Sequence, residues 1–200
     1  MGRPSTWDEE ALLGTVMAVF RHHGYAQTSV RDLEAATGVL AGSLYKAYES
    51  KAGLFVAALR AYNHRVVEAR IAQHLARADD PLGGIHSFFT STFHGRASDP
   101  GCLVTNTAVE CFTLGEAERA AVHDGIALIE RGFVGALQRA VAARQLSRRA
   151  PIDVVARRLL ASYQGLLVLV RSGASSEMLQ TISDDAVTSL PAHPSRRRHT

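Results

Sequence analysis

The apolar positions of residues 28–55 form two short helical stripes, one on each side of a glycine. Thr28 and Ser29 predict the start of a helix. The first stripe then repeats at the three- and four-residue spacing of one helical face, at Val30, Leu33 and Ala36 or Thr37. Gly38 follows and predicts a sharp turn, because a residue without Cβ enters positive φ at little cost. The second stripe consists of Val39, Leu44 and Tyr48. Two such short helices bury little surface alone, so the pattern predicts further helices on either side of them.

A longer helix is predicted before this pair. Its buried face is expected to carry Leu12, Leu13, Val16, Val19 and Phe20. Thr6 and Glu9 have the spacing of a capping box, so they predict the start of this helix. Gly24 predicts its end.

The chain after residue 50 predicts longer helices that are separated by clear breaks. Ser50 caps a helix that is expected to run from Lys51 to about Ala76, and Asp80-Pro81 starts another that reaches about Gly95. Further helices are expected over Cys102 to Cys111, Leu114 to about Arg144, Pro151 to about Val170, and Ser176 to Leu190. The predicted fold class is all-α, with a three-helix N-terminal head and a C-terminal helical bundle.

Two short helices around a tight turn have the spacing of a helix-turn-helix, whose second helix enters the major groove of DNA. The residues TSVRDLEAATGV, GSLY, Tyr48, SK and LF resemble the DNA-binding domain of the tetracycline-repressor (TetR) family over about residues 7–60. The chain departs from the family pattern at Leu40, where a small polar residue is usual, and at Ala47-Tyr48, where a His-Phe pair is frequent. The resemblance implies a dimeric, ligand-responsive transcriptional regulator, usually a repressor.

The expected domain organisation follows from this resemblance. Residues 1–50 are predicted to form the helix-turn-helix domain, and the helix over 51–76 is predicted to connect it to the rest. Residues 51–190 are predicted to bind an effector and to dimerise. Residues 191–200 are predicted to be a disordered basic tail.

Candidate DNA contacts are small or polar residues around the presumed recognition helix. They are Arg3, Thr28, Ser29, Arg31, Gly42, Ser43, Tyr45, Lys46 and Lys51. The family resemblance implies phosphate contacts for Thr28, Tyr45, Lys46 and Lys51. Arg31, Ser43 and Lys46 are the candidates for reading base edges, and Arg3 lies on a short arm that would reach a minor groove. The alternative for each residue is a solvated surface side chain, and for the arm a loose terminus.

Candidate effector contacts are aromatic and polar residues on predicted inner faces. The predicted set is Phe88, Phe89, Phe93, Cys102, Asn106, Glu110, Phe133 and Tyr163. The stretch GCLVTNTAVE, which contains three of them, resembles a motif in a subset of TetR-type ligand domains. On one helix, Asn106 and Glu110 would share a face, and Cys102 would lie in the first turn, where the dipole favours a thiolate. The alternatives are core packing for the aromatic residues and a small buried thiol for Cys102.

The last two long helices are the candidates for dimerisation. By resemblance, two C-terminal helices pair with their twins in a four-helix interface, and the chain from Leu166 to Val170 is apolar all round. The predicted interface residues are Ile129, Phe133, Leu137, Leu159, Leu166, Leu167 and Val170.

Composition narrows the remaining classes of function. The net charge of +3 is only mildly basic, so charge alone does not indicate nucleic acid. No apolar run has the length of a membrane helix, no signal peptide is evident, and two cysteines indicate a cytoplasmic protein. The sequence contains no nucleophile elbow, phosphate loop or metal-ligand spacing. No cofactor or metal is therefore expected, and an enzymatic function is disfavoured.

The expected partners are therefore double-stranded operator DNA, a small-molecule effector and a second copy of the chain. Three alternatives remain open. One is a regulator that senses oxidants or electrophiles through Cys102, and another is an all-helical enzyme. The third is an architectural DNA-binding protein without an effector.

Overall fold

The computed structural model describes residues 7–77, 79–94 and 100–191, and its regular elements in these ranges are helices. The predicted all-α fold is thus confirmed. In chain order the helices are α1 (Glu9–His23), α2 (Val30–Thr37), α3 (Ala41–Tyr48), α4 (Lys51–Tyr62), α5 (Glu68–Arg70), α6 (Pro81–Thr90), α7 (Leu103–Ala108), α8 (Glu116–Ala142), α9 (Ile152–Arg171) and α10 (Ser176–Thr188). Two π-helical turns, Asn63–Val67 and Ile71–Leu75, flank α5.

The chain divides into two compact units. The first unit combines the chain up to Val66 with Cys102–Gly125, and the second combines Val67–Gly101 with the chain from Ile126 onward. Tertiary contacts therefore group α4 and α7 with the predicted helix-turn-helix. The domain boundary placed at residue 50 remains a prediction.

Helix α1 begins two residues later than the capping box predicted. Asp8 is its N-cap, and the Asp8 carboxylate accepts a hydrogen bond from the Glu10 N–H at 2.9 Å. The predicted cap Thr6 and the arm with Arg3 lie outside the described residues. Gly24 ends the helix with φ 81°, as its position predicted.

The core of the first unit is built on aromatic residues from α1 and α4. Phe20 and Phe55 are fully buried, with their rings edge to face at 4.8 Å. The short helices α2 and α3 each add one fully buried leucine, Leu33 and Leu44. This core anchors two helices that could not fold alone.

The predicted helix over Cys102 to Cys111 is wrong. Cys102 is the N-cap of α7, the helix ends at Ala108, and Cys111 opens a separate 3-10 turn, Cys111–Thr113. Asn106 and Glu110 therefore do not share a helix. Both cysteines are free and half-buried.

The core of the second unit is an aromatic cluster of Phe88 and Phe89 from α6, Phe133 from α8 and Tyr163 from α9. All four side chains are buried, and their ring centroids lie 4.6 to 6.1 Å apart. No helix in the described ranges is long and apolar enough to cross a bilayer.

Candidate nucleic-acid interface

The first helix of the pair, α2, is closed at both ends by local hydrogen bonds. At its start the Ser29 hydroxyl accepts from the Asp32 N–H at 3.2 Å, and the Asp32 carboxylate accepts from the Ser29 N–H at 2.7 Å. Hydrogen bonds with Ser29 hold the pKa of Asp32 below its ordinary value. At its end, Gly38 adopts φ 69° and donates its N–H to the Glu34 carbonyl at 2.9 Å. The sequence predicted this cap position and this turn.

The second helix, α3, has a different start. Its N-cap is Leu40, which has no side-chain hydrogen bond to the helix and is 69% exposed. Leu44 is buried beneath α3, whereas Gly42, Tyr45 and Lys46 are exposed on its other sides. The outer surface of α3 is thus free to meet a partner, as expected for a recognition helix.

Thr28 does not present its hydroxyl to solvent. The residue is 1% exposed, and its Oγ1 donates to the Gly24 carbonyl at 2.6 Å. The predicted phosphate contact through this hydroxyl is therefore corrected: the side chain closes the turn before α2. Ser29 and Arg31, the neighbouring candidates, are exposed.

Lys51, in the first turn of α4, is half-buried rather than extended into solvent. Its Nζ lies 4.5 Å from the centroid of the Tyr25 ring, a cation–π contact. Burial lowers the pKa of Lys51, while the charges of Glu110 and Asp32 act against that shift. The Lys51 ammonium group is thus positioned by the ring of Tyr25, in the turn that precedes α2.

Two carboxylates hold the turn that precedes α2. Glu110 accepts a hydrogen bond from the Ala26 N–H at 3.0 Å, and Glu118 accepts one from the Tyr25 hydroxyl at 3.4 Å. Glu118 is only 6% exposed. The pKa of Tyr25 is raised mainly by the burial of its hydroxyl and also by the nearby Glu118 carboxylate. Sequence reasoning assigned Glu110 to the effector and missed both Glu118 and Tyr25. No local signal marks these pairs, because the partners are 84 and 93 residues apart.

Comparisons with known proteins agree with this geometry. The family described as "Bacterial regulatory proteins, tetR family" matches residues 12–58, and "Tetracyclin repressor-like, C-terminal domain" matches residues 78–184. The chain belongs to the TetR family. Because members of this family are DNA-binding transcriptional regulators without enzymatic activity, the protein is not an enzyme.

Individual TetR-family relatives align over nearly the whole chain. The HTH-type transcriptional repressor ComR of Escherichia coli (strain K12) is 29% identical over 197 residues, which cover 95% of this chain and 92% of that protein. A CifR cysteine mutant complexed with 26bp operator DNA is 27% identical, has a TM-score of 0.82 and covers 95% of this chain and all of its own. The reduced form of E. coli NemR has the same fold, with a TM-score of 0.82 at 22% identity over 92% of this chain and 97% of its own.

In this TetR-family chain, the predicted effector residues are divided between the two units. Cys102, Asn106 and Glu110 belong to the first unit, and the other five belong to the second. Asn106 is buried and donates to the Arg21 carbonyl at 3.4 Å, while Glu110 holds Ala26. Phe93 is half-buried, and the remaining four residues form the aromatic cluster. Core packing therefore accounts for most of the predicted set, and any effector contact stays a prediction.

The predicted dimer interface needs a correction. Six of its residues are at most 5% exposed within one protomer, so they belong to the protomer's own core: Ile129, Phe133, Leu137, Leu159, Leu166 and Leu167. Only Val170 keeps a half-buried side chain. The apolar periodicity was read correctly, but it identified the inward face of α8 and α9.

Proposed function

We propose that the protein is a homodimeric transcriptional repressor that binds a palindromic operator and is released by a small-molecule effector. The observation that carries this proposal is the exposure of the outer surface of α3. Leu44, on the opposite side of the helix, is buried and fixes α3 to the core of the first unit. A cysteine mutant of CifR, a relative of 27% identity, has been solved complexed with operator DNA, which supports the same role for this helix.

The DNA contacts that we propose follow from exposure and charge. Tyr45 and Lys46 are exposed on α3 and suit phosphate oxygens, and the half-buried Lys51 at the start of α4 also suits a phosphate oxygen. Arg31, Ser43 and Lys46 remain the polar candidates for base edges. Ser29 and Gly42 lie beside them on exposed surface.

We propose that the homodimer forms through the outward face of α9. Val154 is 63% exposed and Val168 is 48% exposed, and the exposed small residues Ala161 and Gly165 lie between them on the same helical stripe. A Cβ added at Gly165 would meet no atom of the protomer within 4 Å. Small residues let a second helix approach closely, and an isologous dimer matches the symmetry of a palindrome.

The proposed effector is a small molecule bound by residues of the C-terminal part. The stretch GCLVTNTAVE supports a place in the subset of TetR-type regulators that carries this motif. Effector binding would favour the conformation that does not bind DNA and so shift the population away from the operator. The thiol-sensing alternative has less support, since the Cys102 side chain makes no capping hydrogen bond to α7 and instead lies against the buried Tyr62 hydroxyl.

The decisive experiment is a selection of bound fragments from random duplex DNA with the purified protein at physiological salt. The expected result is a palindrome whose half-sites are about one helical turn apart. Salt-sensitive binding without a preferred sequence would instead indicate an architectural role. Absence of binding by a folded dimer would overturn the proposal.

One lysine variant and one arginine control test the phosphate contacts separately. Lys46→Ala should weaken operator binding and lower the slope of log affinity against log salt by about one phosphate contact. Arg60→Ala, which removes an exposed charge from α4, is the matched control and should leave the slope unchanged. Equal slopes for Lys46→Ala and the wild type would exclude Lys46 from the phosphate contacts.

The dimer surface is tested with Gly165→Arg. Because the site faces open space, the variant should fold as a protomer but sediment as a monomer and lose tight operator binding. Gly14→Arg is the matched control, since a Cβ at Gly14 also meets no atom within 4 Å. A Gly165→Arg protein that remains dimeric would place the interface elsewhere.

A further inference from the structure

We propose that Leu40 reads the 5-methyl group of a thymine in each operator half-site. Leu40 thus becomes a determinant of sequence specificity alongside the polar residues of α3. This inference rests on the proposed function, because it requires α3 to enter the major groove.

The first observation is the exposure of Leu40. Within residues 7–66 the large apolar or aromatic side chains that remain exposed are Leu40, at 69%, and Tyr45, at 37%. Both lie at α3, while the other large apolar residues of this segment are buried or half-buried. Apolar exposure in this segment is therefore concentrated at the helix that faces DNA.

The second observation is that the fold does not use Leu40. It occupies the N-cap of α3, where Ser, Thr, Asp or Asn would accept a hydrogen bond from the helix, yet it makes no such bond. Ser29, Ser50 and Asp80 all make that bond at the starts of α2, α4 and α6. Because Leu40 neither caps the helix nor packs in the core, its side chain is available to a partner outside the chain.

The third observation is the small size of the residues that follow. Ala41, Gly42 and Ser43 form the first turn of α3, and a Cβ at Gly42 would meet no atom within 4 Å. This start of the helix can therefore approach base edges closely. Leu40 would be the largest side chain there, and it has no hydrogen-bonding group.

The chemistry of the groove then selects the partner. The thymine methyl is the apolar group that a base pair presents in the major groove, whereas the remaining edge positions are hydrogen-bond donors and acceptors. A leucine placed against a donor or acceptor would leave it without water, at a cost in free energy. Leu40 therefore favours an A·T pair whose methyl lies against its side chain.

The experiment begins with the operator recovered by random-duplex selection with the full-length wild-type protein. Each thymine of the half-site is then replaced by deoxyuridine, which removes only the methyl group. At one position in each half-site we expect the wild-type affinity to fall about fourfold, and about 15-fold when both half-sites are changed. Leu40→Ala should bind the thymine and uracil duplexes equally well, and it should select half-sites in which that position is relaxed.

Two further variants serve as controls. Phe112→Ala removes a fully exposed apolar side chain from the same unit but outside the helix-turn-helix, and it should keep the wild-type response to uracil. Leu40→Ser restores a capping residue and should lose the response while remaining folded, so that a loss in Leu40→Ala cannot be ascribed to unfolding.

The outcomes separate this inference from the proposed function. If the wild type selects an operator but binds its uracil and thymine forms equally at every position, the role of Leu40 is overturned and the function stands. The same holds if no A·T pair is selected in the half-site, or if Leu40→Ala keeps the wild-type response. If the wild type selects no operator, the proposed function fails and this inference fails with it.

Discussion

The two helices of the helix-turn-helix have the same length and opposite terminal chemistry. Both α2 and α3 span eight residues and rest on one buried leucine. The start of α2 is closed by the reciprocal Ser29–Asp32 bonds and its end by Gly38, whereas α3 starts at the uncapped Leu40 and ends at Glu49, which has φ 68°. A non-glycine residue at positive φ carries a backbone cost.

The difference between their termini indicates that α2 and α3 contribute differently to the stability of the motif and to its contacts with a partner. Helix α2 contains the local interactions that make a short helix stable. Helix α3 lacks a capping side chain at its start, and its C-terminal backbone bond, from the Glu49 N–H to the Tyr45 carbonyl at 2.8 Å, is made by a non-glycine residue at positive φ. Its position therefore depends on Leu44 and on its neighbours. The residue at the start of α3 is consequently available for contact with a partner rather than for capping.

The largest expected effects test the feature that α2 and α3 share, a single buried leucine in each helix. Leu33→Ala and Leu44→Ala should each lower the free energy of unfolding by about 2–5 kcal/mol, because each removes the single buried leucine of its helix. Chemical denaturation followed by circular dichroism measures both. Leu40→Ala is the control and should change stability by less than about 0.5 kcal/mol. A large loss in Leu40→Ala would mean that this side chain packs in the folded protein.

A smaller effect tests the feature in which α2 and α3 differ, the capping side chain at the start of the helix. Ser29→Ala should destabilise the protein by about 1 kcal/mol, because the Asp32 N–H loses its acceptor. Leu40→Ser should stabilise it by up to about 1 kcal/mol, since α3 gains a cap. Thermal unfolding of the two variants beside the wild type gives both signs. If Leu40→Ser is no more stable than the wild type, the first turn of α3 does not accept a capping side chain.

The smallest effect is the pH dependence of the α2 cap. Because the folded-state pKa of Asp32 is lowered by Ser29, its carboxylate contributes stability above the unfolded pKa of about 3.9, and this is lost as the pH falls through the folded pKa. The melting temperatures of wild type and Asp32→Asn should therefore differ at neutral pH and converge in acid. The same comparison in a Ser29→Ala background should show a smaller but remaining pH dependence, because the Ser29 N–H still donates to the Asp32 carboxylate at 2.7 Å. A difference that persists in acid would assign the effect to something other than ionised Asp32.

The local features of the fold could be predicted from the sequence. Ser29, Gly38 and Leu33 lie within one short stretch, so the cap, the turn and the buried leucine of α2 were predicted correctly, whereas Ala36 is exposed. The same holds for Asp80-Pro81, where Asp80 caps α6. In each case the interaction joins residues that are close in the sequence.

The predictions that failed depended on distant partners. The pattern gave an apolar face for α9, but periodicity does not say whether that face meets the same chain or a second copy, and Leu159 and Leu166 proved to be core residues. Glu110 was placed on a helix with Asn106 because nothing near it in the sequence marks the end of α7. Its partner, the Ala26 N–H, is 84 residues away.

The contact between Glu110 and Ala26 also bears on how such regulators can be recombined. The turn before α2 is completed by acceptors from Cys102–Gly125, and a Cβ at Gly24 would lie 2.6 Å from a Glu110 oxygen. A hybrid protein joined at residue 50 or 66 would carry the recognition helix without these acceptors. Transplanting this DNA specificity onto another scaffold therefore requires two inserted segments, and an evolutionary exchange of the N-terminal segment alone would have to bring compatible residues at positions 110 and 118.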